Sequence, residues 1–220
     1  MLMPELMVDA LDLVLGRACL RCHEPGRVLC RPCLSALRGS AGPVTSAMDL
    51  PVATAALPYA GDGARLVLAY KEHGNRALTP MLGLLLADAL ASHPALQGRR
   101  TVTIVPVPGH RRARRGFDAL GDLCTAAATA LTHDGRSAQV RRAVRSVRSS
   151  PPLKGMARND RRHAIDGAFV ARDVPLIAPI LVVDDVLTTG ATMRETIRAL
   201  AEAGHHVDGV AVIADATVHR

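Results

Sequence analysis

Between Leu176 and Thr192 the chain passes from an apolar run into two adjacent acids, then hydroxyl residues and a glycine, then a helical pattern. Few architectures accept that order. Leu176–Val183 carries no charge and no hydroxyl; such a run reads as a strand covered on both faces, the situation of a strand in a parallel sheet. Downstream, the spacing predicts a helix over Ala191–Ala203 and a final strand over Val207–Ile213. Upstream it predicts strands near Val52–Tyr59, Thr101–Val107, Gln139–Val144 and Ile180–Asp184. Helices are expected over Glu5–Gly16, Gly63–Glu72, Leu78–Ala91 and Phe117–Thr132, with a loop over Ser146–Asn159. Strands alternating with helices give the α/β class, with a mostly parallel sheet flanked by helices.

The acids set the first chemical expectation. Ligands of open α/β sheets bind at the carboxyl ends of strands, and here that end is Asp184-Asp185. Thr188, Thr189, Gly190, Ala191 and Thr192 open the next helix, where backbone N–H groups and hydroxyls converge on an anion and the helix dipole favours negative charge. Gly190 permits close backbone approach. Carboxylates repel phosphate, so the pair is aimed at sugar hydroxyls or a hydrated Mg²⁺. A 5-phosphorylated ribose carrying a metal-bound pyrophosphate meets both demands.

Charge is concentrated in the middle of the chain. From Arg99 to Arg162 there are fifteen Lys or Arg against four Asp, a local net of +11 in a chain whose formal net charge is +7. That stretch is suited to an anionic partner, either a polyphosphate or nucleic acid. With Tyr59, Tyr70, Phe117 and Phe169 as the only aromatic residues and no Trp, a stacking platform for single strands is poorly supplied.

Near the start, Cys19, Cys22, Cys30 and Cys33 form a C-x₂-C-x₇-C-x₂-C pattern. Two close pairs of thiolates suit tetrahedral Zn²⁺, with iron the other ion such a shell takes; four protein ligands leave no open position, so the metal would be structural. Two disulfides are the competing reading. The Met1–Leu20 segment is apolar with Glu5, Asp9 and Asp12 and no early basic residue, the wrong flank for a secretory signal. A cytoplasmic protein with no membrane insertion is therefore expected, and zinc over disulfides. Cys124, among alanines on a helical face, reads as a small core residue. The division expected is 1–45 for an amphipathic helix and zinc module, and 46–220 for the α/β domain.

At this point a resemblance becomes visible. Val183-Asp184-Asp185-Val186-Leu187-Thr188-Thr189-Gly190-Ala191-Thr192 resembles the phosphoribosyl-pyrophosphate loop of type I phosphoribosyltransferases. Val105-Pro106-Val107-Pro108-Gly109-His110 followed by Arg111, Arg112, Arg114, Arg115, Gly116 and Phe117 resembles the pyrophosphate loop of amidophosphoribosyltransferases and of ComF-type competence proteins. Tyr70-Lys71-Glu72-His73-Gly74 and the N-terminal cysteines are similar to the ComF type as well. The resemblance implies a type I phosphoribosyltransferase fold with a small zinc module, acting on phosphoribosyl pyrophosphate with Mg²⁺, and a role in natural competence and DNA uptake. It implies that Asp184 and Asp185 hold the ribose hydroxyls and that Thr188–Thr192, with Val186 and Leu187 leading in, hold the 5-phosphate. Arg111, Arg112, Arg114, Arg115 and Lys71 would serve the donor, and Lys154, Arg158 and Arg161 would close over the pyrophosphate from a mobile catalytic loop. The family pattern has Asn-Gln where Asp118 and Ala119 stand, and Gln and Asn where Leu153 and Ala164 stand. Two readings stay open: a transferase that displaces pyrophosphate from ribose C1, and a non-catalytic binder of the donor or of DNA. Single-stranded DNA, competence proteins or further copies of the chain are the partners to expect.

Overall fold

The computed structural model describes residues 18–45, 49–109, 118–147 and 167–217. The helix expected over Glu5–Gly16 lies outside the described residues, as do Arg111, Arg112, Arg114, Arg115, Leu153, Lys154, Arg158, Arg161 and Ala164.

In chain order the elements are α1 (Arg31–Leu37), β1 (Gly42–Pro43), β2 (Ala53–Pro58), α2 (Gly61–Lys71), α3 (Thr79–Ala91), β3 (Thr101–Pro106), α4 (Ala119–His133), β4 (Ser137–Val140), β5 (Val144–Ser146), β6 (Phe169–Ala171), β7 (Ile180–Leu187), α5 (Ala191–Glu202) and β8 (Gly209–Asp215). Six strands form one sheet in the order β1-β2-β8-β7-β3-β4. Only β1 runs antiparallel to its neighbour; β2, β8, β7, β3 and β4 are parallel throughout. The chain is thus α/β, with a mostly parallel sheet flanked by helices and a cysteine cluster at its N-terminal side. Among the described residues no helix is long and apolar enough to cross a membrane.

The apolar runs explain the central strands. Every residue of β8 is buried, as are Ile180–Val183 of β7 and Val102–Pro106 of β3, which a sheet layered on both faces demands. The connection β3→α4→β4 runs towards one sheet edge and β7→α5→β8 towards the other. Right-handed crossovers then put α4 and α5 on opposite faces. On the α4 side, α3 packs closely enough that a Cβ on Gly83 would lie 2.4 Å from the Ala126 Cβ.

One expected strand proves to be two. Arg141 N–H still donates to Ile104 O (2.9 Å), closing β4 against β3. The chain then turns away at buried Ala143, and β5 pairs with β6 in a separate antiparallel ribbon. The alternation lapses at Arg141-Arg142, two polar residues in a row, and again at Ala143-Val144, two apolar ones, so the break between β4 and β5 is marked in the sequence although the expected strand ran across it. Likewise β7 continues through Asp184 and Asp185 to Leu187, which places Val186 and Leu187 in the strand.

The cysteine module is docked on the α/β layer. Val28, Leu29 and Leu37 belong to the same buried cluster as the sheet. Arg38 grips Asp88 of α3 with two hydrogen bonds, Nε to Oδ2 at 2.8 Å and Nη2 to Oδ1 at 2.6 Å.

Candidate functional site

Strands β3 and β7 are neighbours whose onward connections diverge, so the carboxyl ends of this pair form the sheet's topological switch point, where open α/β sheets bind ligands. Asp184 and Asp185 stand at that end of β7, and β3 delivers Pro106-Val107-Pro108 beside them, with Val107 N–H donating to Val183 O at 2.9 Å. The strand ends that lead into the two loops marked separately in the sequence are thereby neighbours.

The two carboxylates have different surroundings. Asp185 is paired with Lys71, whose Nζ lies 2.6 Å from Oδ2; the side chains are 26% and 14% exposed. Asp184 accepts from the Asp185 N–H at 2.8 Å. Burial, and next the charge of Asp185, push the Asp184 carboxyl up to about 8, against the opposing pull of Lys71. One of the two acids therefore holds a proton easily near neutrality, as adjacent carboxylates with a single counter-ion must.

Lys71 comes from a distant part of the chain, the last turn of α2. Beside it Tyr70 is fully buried and donates from its hydroxyl to Ala119 O (3.0 Å), fixing the end of α2 to the start of α4. Burial raises the Tyr70 phenol, so it stays a neutral donor.

After β7, Gly190 takes the left-handed conformation (φ 69°) as N-cap of α5 and offers no capping side chain. Thr189 is turned to local use: its Oγ1 accepts from Ala191 N–H (3.4 Å) and its carbonyl from Arg194 Nη2 (2.9 Å). Thr188 and Thr192 are half-buried at the same helix start. The strand end, turn and helix N-terminus expected of an anion site are thus present in order.

Asp118 has a structural task. It is the N-cap of α4, accepting from Gly121 N–H at 3.2 Å, and it pairs with Arg142 beyond β4. Cys124 is completely buried, and burial followed by the charge of Asp118 raises its thiol far beyond the range of a nucleophile.

The sequence reading missed Arg142, the Tyr70 hydroxyl and the Glu195–Arg198 pair on α5. Glu195 accepts from Phe169 N–H (3.0 Å) and from Arg198 Nε and Nη2 (2.7 and 2.8 Å), while Arg198 Nη2 also donates to Phe169 O (2.9 Å). Helix α5 therefore presents its N-terminus to the acid pair and grips the β5–β6 ribbon one turn further on. An acid in a half-apolar helix can be noticed in sequence, but its partner cannot.

The four cysteine sulfurs lie within 4.8 Å of one another. Zn–S bonds of about 2.3 Å put neighbouring sulfurs of a tetrahedron about 3.8 Å apart, and Cys22 and Cys30 Sγ are 3.7 Å apart. All four are free thiols. Cys30 N–H points at Cys19 Sγ (3.5 Å). Burial raises the Cys19 thiol, but the backbone donors of Cys22, Cys30 and Arg21 outweigh it and bring the group down to about 6. Burial, and next the neighbouring thiol of Cys30, push Cys33 up to about 12. An all-sulfur shell of this size fits a metal ion such as zinc and leaves it no open position.

Comparison with protein-family models and with curated proteins finds no match.

Proposed function

We propose that this chain binds phosphoribosyl pyrophosphate with Mg²⁺ at the carboxyl ends of β3 and β7, in a fold of the type I phosphoribosyltransferase kind with a ComF-type zinc module. The observation that carries the reading is the acid pair at the switch point, followed by a left-handed Gly190 at the start of α5. A diol is a neutral ligand that two adjacent carboxylates can hold, and a phosphate is what a helix start with glycine at its N-cap takes on the N–H groups beyond Ala191. Joining the two in a single small molecule gives a ribose 5-phosphate.

In this reading Asp184 and Asp185 accept from the ribose 2- and 3-hydroxyls, and Thr188–Thr192 surround the 5-phosphate. Arg111, Arg112, Arg114 and Arg115 follow β3 and would pair with pyrophosphate oxygens, for which guanidinium geometry is suited. Lys154, Arg158 and Arg161 would close over the leaving group and exclude water. Mg²⁺, bound with the donor, supplies charge neutralisation to the pyrophosphate. The acceptor's lone pair forms a bond to ribose C1 as the C1–O bond breaks, and the electron pair departs with pyrophosphate. Positioning and charge stabilisation are the protein's main contributions.

A second reading, donor binding without transfer, is favoured by one observation. Asp118 is engaged by the α4 backbone and Arg142, so it is not offered to an acceptor. Such a protein would act in DNA uptake as a non-catalytic, phosphoribosyl-pyrophosphate-binding or DNA-binding accessory to competence proteins.

The test is calorimetric titration of the wild type and an Asp184→Ala/Asp185→Ala variant with phosphoribosyl pyrophosphate and Mg²⁺. Saturable binding lost in the variant supports the assignment. Binding absent from both, or equal in both, rejects it. Pyrophosphate release with added nucleophiles then separates transferase from binder.

A further inference from the structure

Helix α2 touches both sites. Its first turn meets the cysteine module at two points: Arg21 Nε donates to Asp62 Oδ2 (2.9 Å), and Arg65 Nη1 donates to Leu20 O (2.7 Å) while lying 3.5 Å from Asp62 Oδ1. Its last turn carries Lys71, 2.6 Å from Asp185. Leu20 and Arg21 are the two residues enclosed by Cys19 and Cys22. The helix thus grips the inside of the metal-binding turn, and an eleven-residue helix spans only about 16 Å from end to end.

We infer that the four-cysteine centre sets ligand affinity at the acid pair through α2, with Lys71 as the group that carries the effect. The ligand-bound part of this inference rests on the proposed phosphoribosyl-pyrophosphate site. A metal on four sulfurs fixes the Cys19–Cys22 turn, which fixes Leu20 O and the Arg21 guanidinium, which fix the first turn of α2. Tyr70, locked to Ala119 O, prevents the far end from drifting sideways. Lys71 is then held where it neutralises Asp185 and keeps the second acid ionisable. Exposed ion pairs by themselves contribute little. The contacts here matter because they converge on a single turn whose geometry the metal dictates. Thermodynamic linkage makes the effect reciprocal, so ligand at the acid pair tightens metal binding by the same factor.

The test uses the full chain with its metal. An Arg21→Met/Arg65→Met variant removes both polar contacts but keeps side-chain length and helix propensity. Elemental analysis should still find one metal per chain. Amide exchange across residues 66–72, measured without ligand, should quicken, and the Kd for phosphoribosyl pyrophosphate with Mg²⁺ should rise about threefold to tenfold. Lys71→Met alone should raise the Kd at least as far, and adding the two arginine substitutions to it should give no further loss. Unchanged exchange across 66–72 in the arginine variant overturns the coupling. So does a loss that multiplies with that of Lys71→Met, because the route would then bypass Lys71. If the wild type binds no phosphoribosyl pyrophosphate while exchange still quickens, the coupling stands and the ligand assignment fails.

Discussion

Glu195 and Arg198 stand one turn apart on α5 and hold the backbone of Phe169 from both sides, the carboxylate taking its N–H and the guanidinium its carbonyl. The pair behaves as an extra strand for β6, supplying the donor and acceptor that a sheet neighbour would otherwise supply.

Removing that support should cost stability. Glu195 is 4% exposed, so Glu195→Ala leaves a buried N–H and part of a guanidinium unpaired, a loss of about 2 to 3 kcal/mol. Burial raises the Glu195 carboxyl, but Arg198 and the Phe169 N–H outweigh it and hold the group below its ordinary 4.5. Its stabilisation is therefore complete above that value and lost as the pH falls through the lower folded-state value. Urea unfolding of the wild type and Glu195→Gln from pH 6 to 3 should show the wild type losing the larger share of its stability.

Asp184 obeys the opposite sign. Its folded value, raised to about 8 from 3.8, means that stability is fully present below the unfolded value and lost as the pH rises through 8. Asp184→Asn should therefore stabilise the ligand-free protein more at pH 8 than at pH 5, as urea unfolding at the two pH values measures. In the wild type, donor binding should release protons near neutrality. Calorimetry in buffers of different ionisation enthalpy measures that release, and proton uptake would contradict the assignment of Asp184 as the protonated acid.

Metal removal is predicted to reach beyond the cysteines. Cys33→Ala should leave less than one metal per chain by elemental analysis. It should also lower Tm, because Val28, Leu29 and Leu37 are packed into the common core. Full metal content in this variant would rule out the four-sulfur shell.

At the α3–α4 contact, Gly83→Ala places a methyl 2.4 Å from the Ala126 Cβ. Overpacking should cost about 1 to 3 kcal/mol, exceeding the helix-propensity gain, and Ala126→Gly in the same chain should restore part of the loss. Thermal unfolding of the single and double variants checks both.

What was legible in the sequence was local. The run ending in Asp184-Asp185 announces a buried strand and its carboxyl-end site because burial on two faces leaves no polar position. The cysteine spacing announces its own cluster because two tight turns suffice to build it. Lys71 against Asp185, Asp118 against Arg142 and Glu195 beneath Phe169 were not legible as pairs. Each joins elements distant in the chain, and local periodicity says which way a side chain points without saying what awaits it. The split of the 139–144 strand had a local mark, the consecutive Arg141-Arg142 and Ala143-Val144, but nothing local told that by Val144 the chain changes its hydrogen-bond partner from β3 to β6.

Strand β8, the last formed, lies between β2, the first long strand, and β7. Nearly the whole chain must emerge before β2 finds its parallel neighbour, and long-range pairing of this kind folds slowly. Until then β2 and β7 each expose an open edge to other nascent chains. A chain truncated before Gly209 would keep a complete cysteine module but a sheet split in two, with one open edge on β2 and one on β7, a product for chaperones and proteases to recognise.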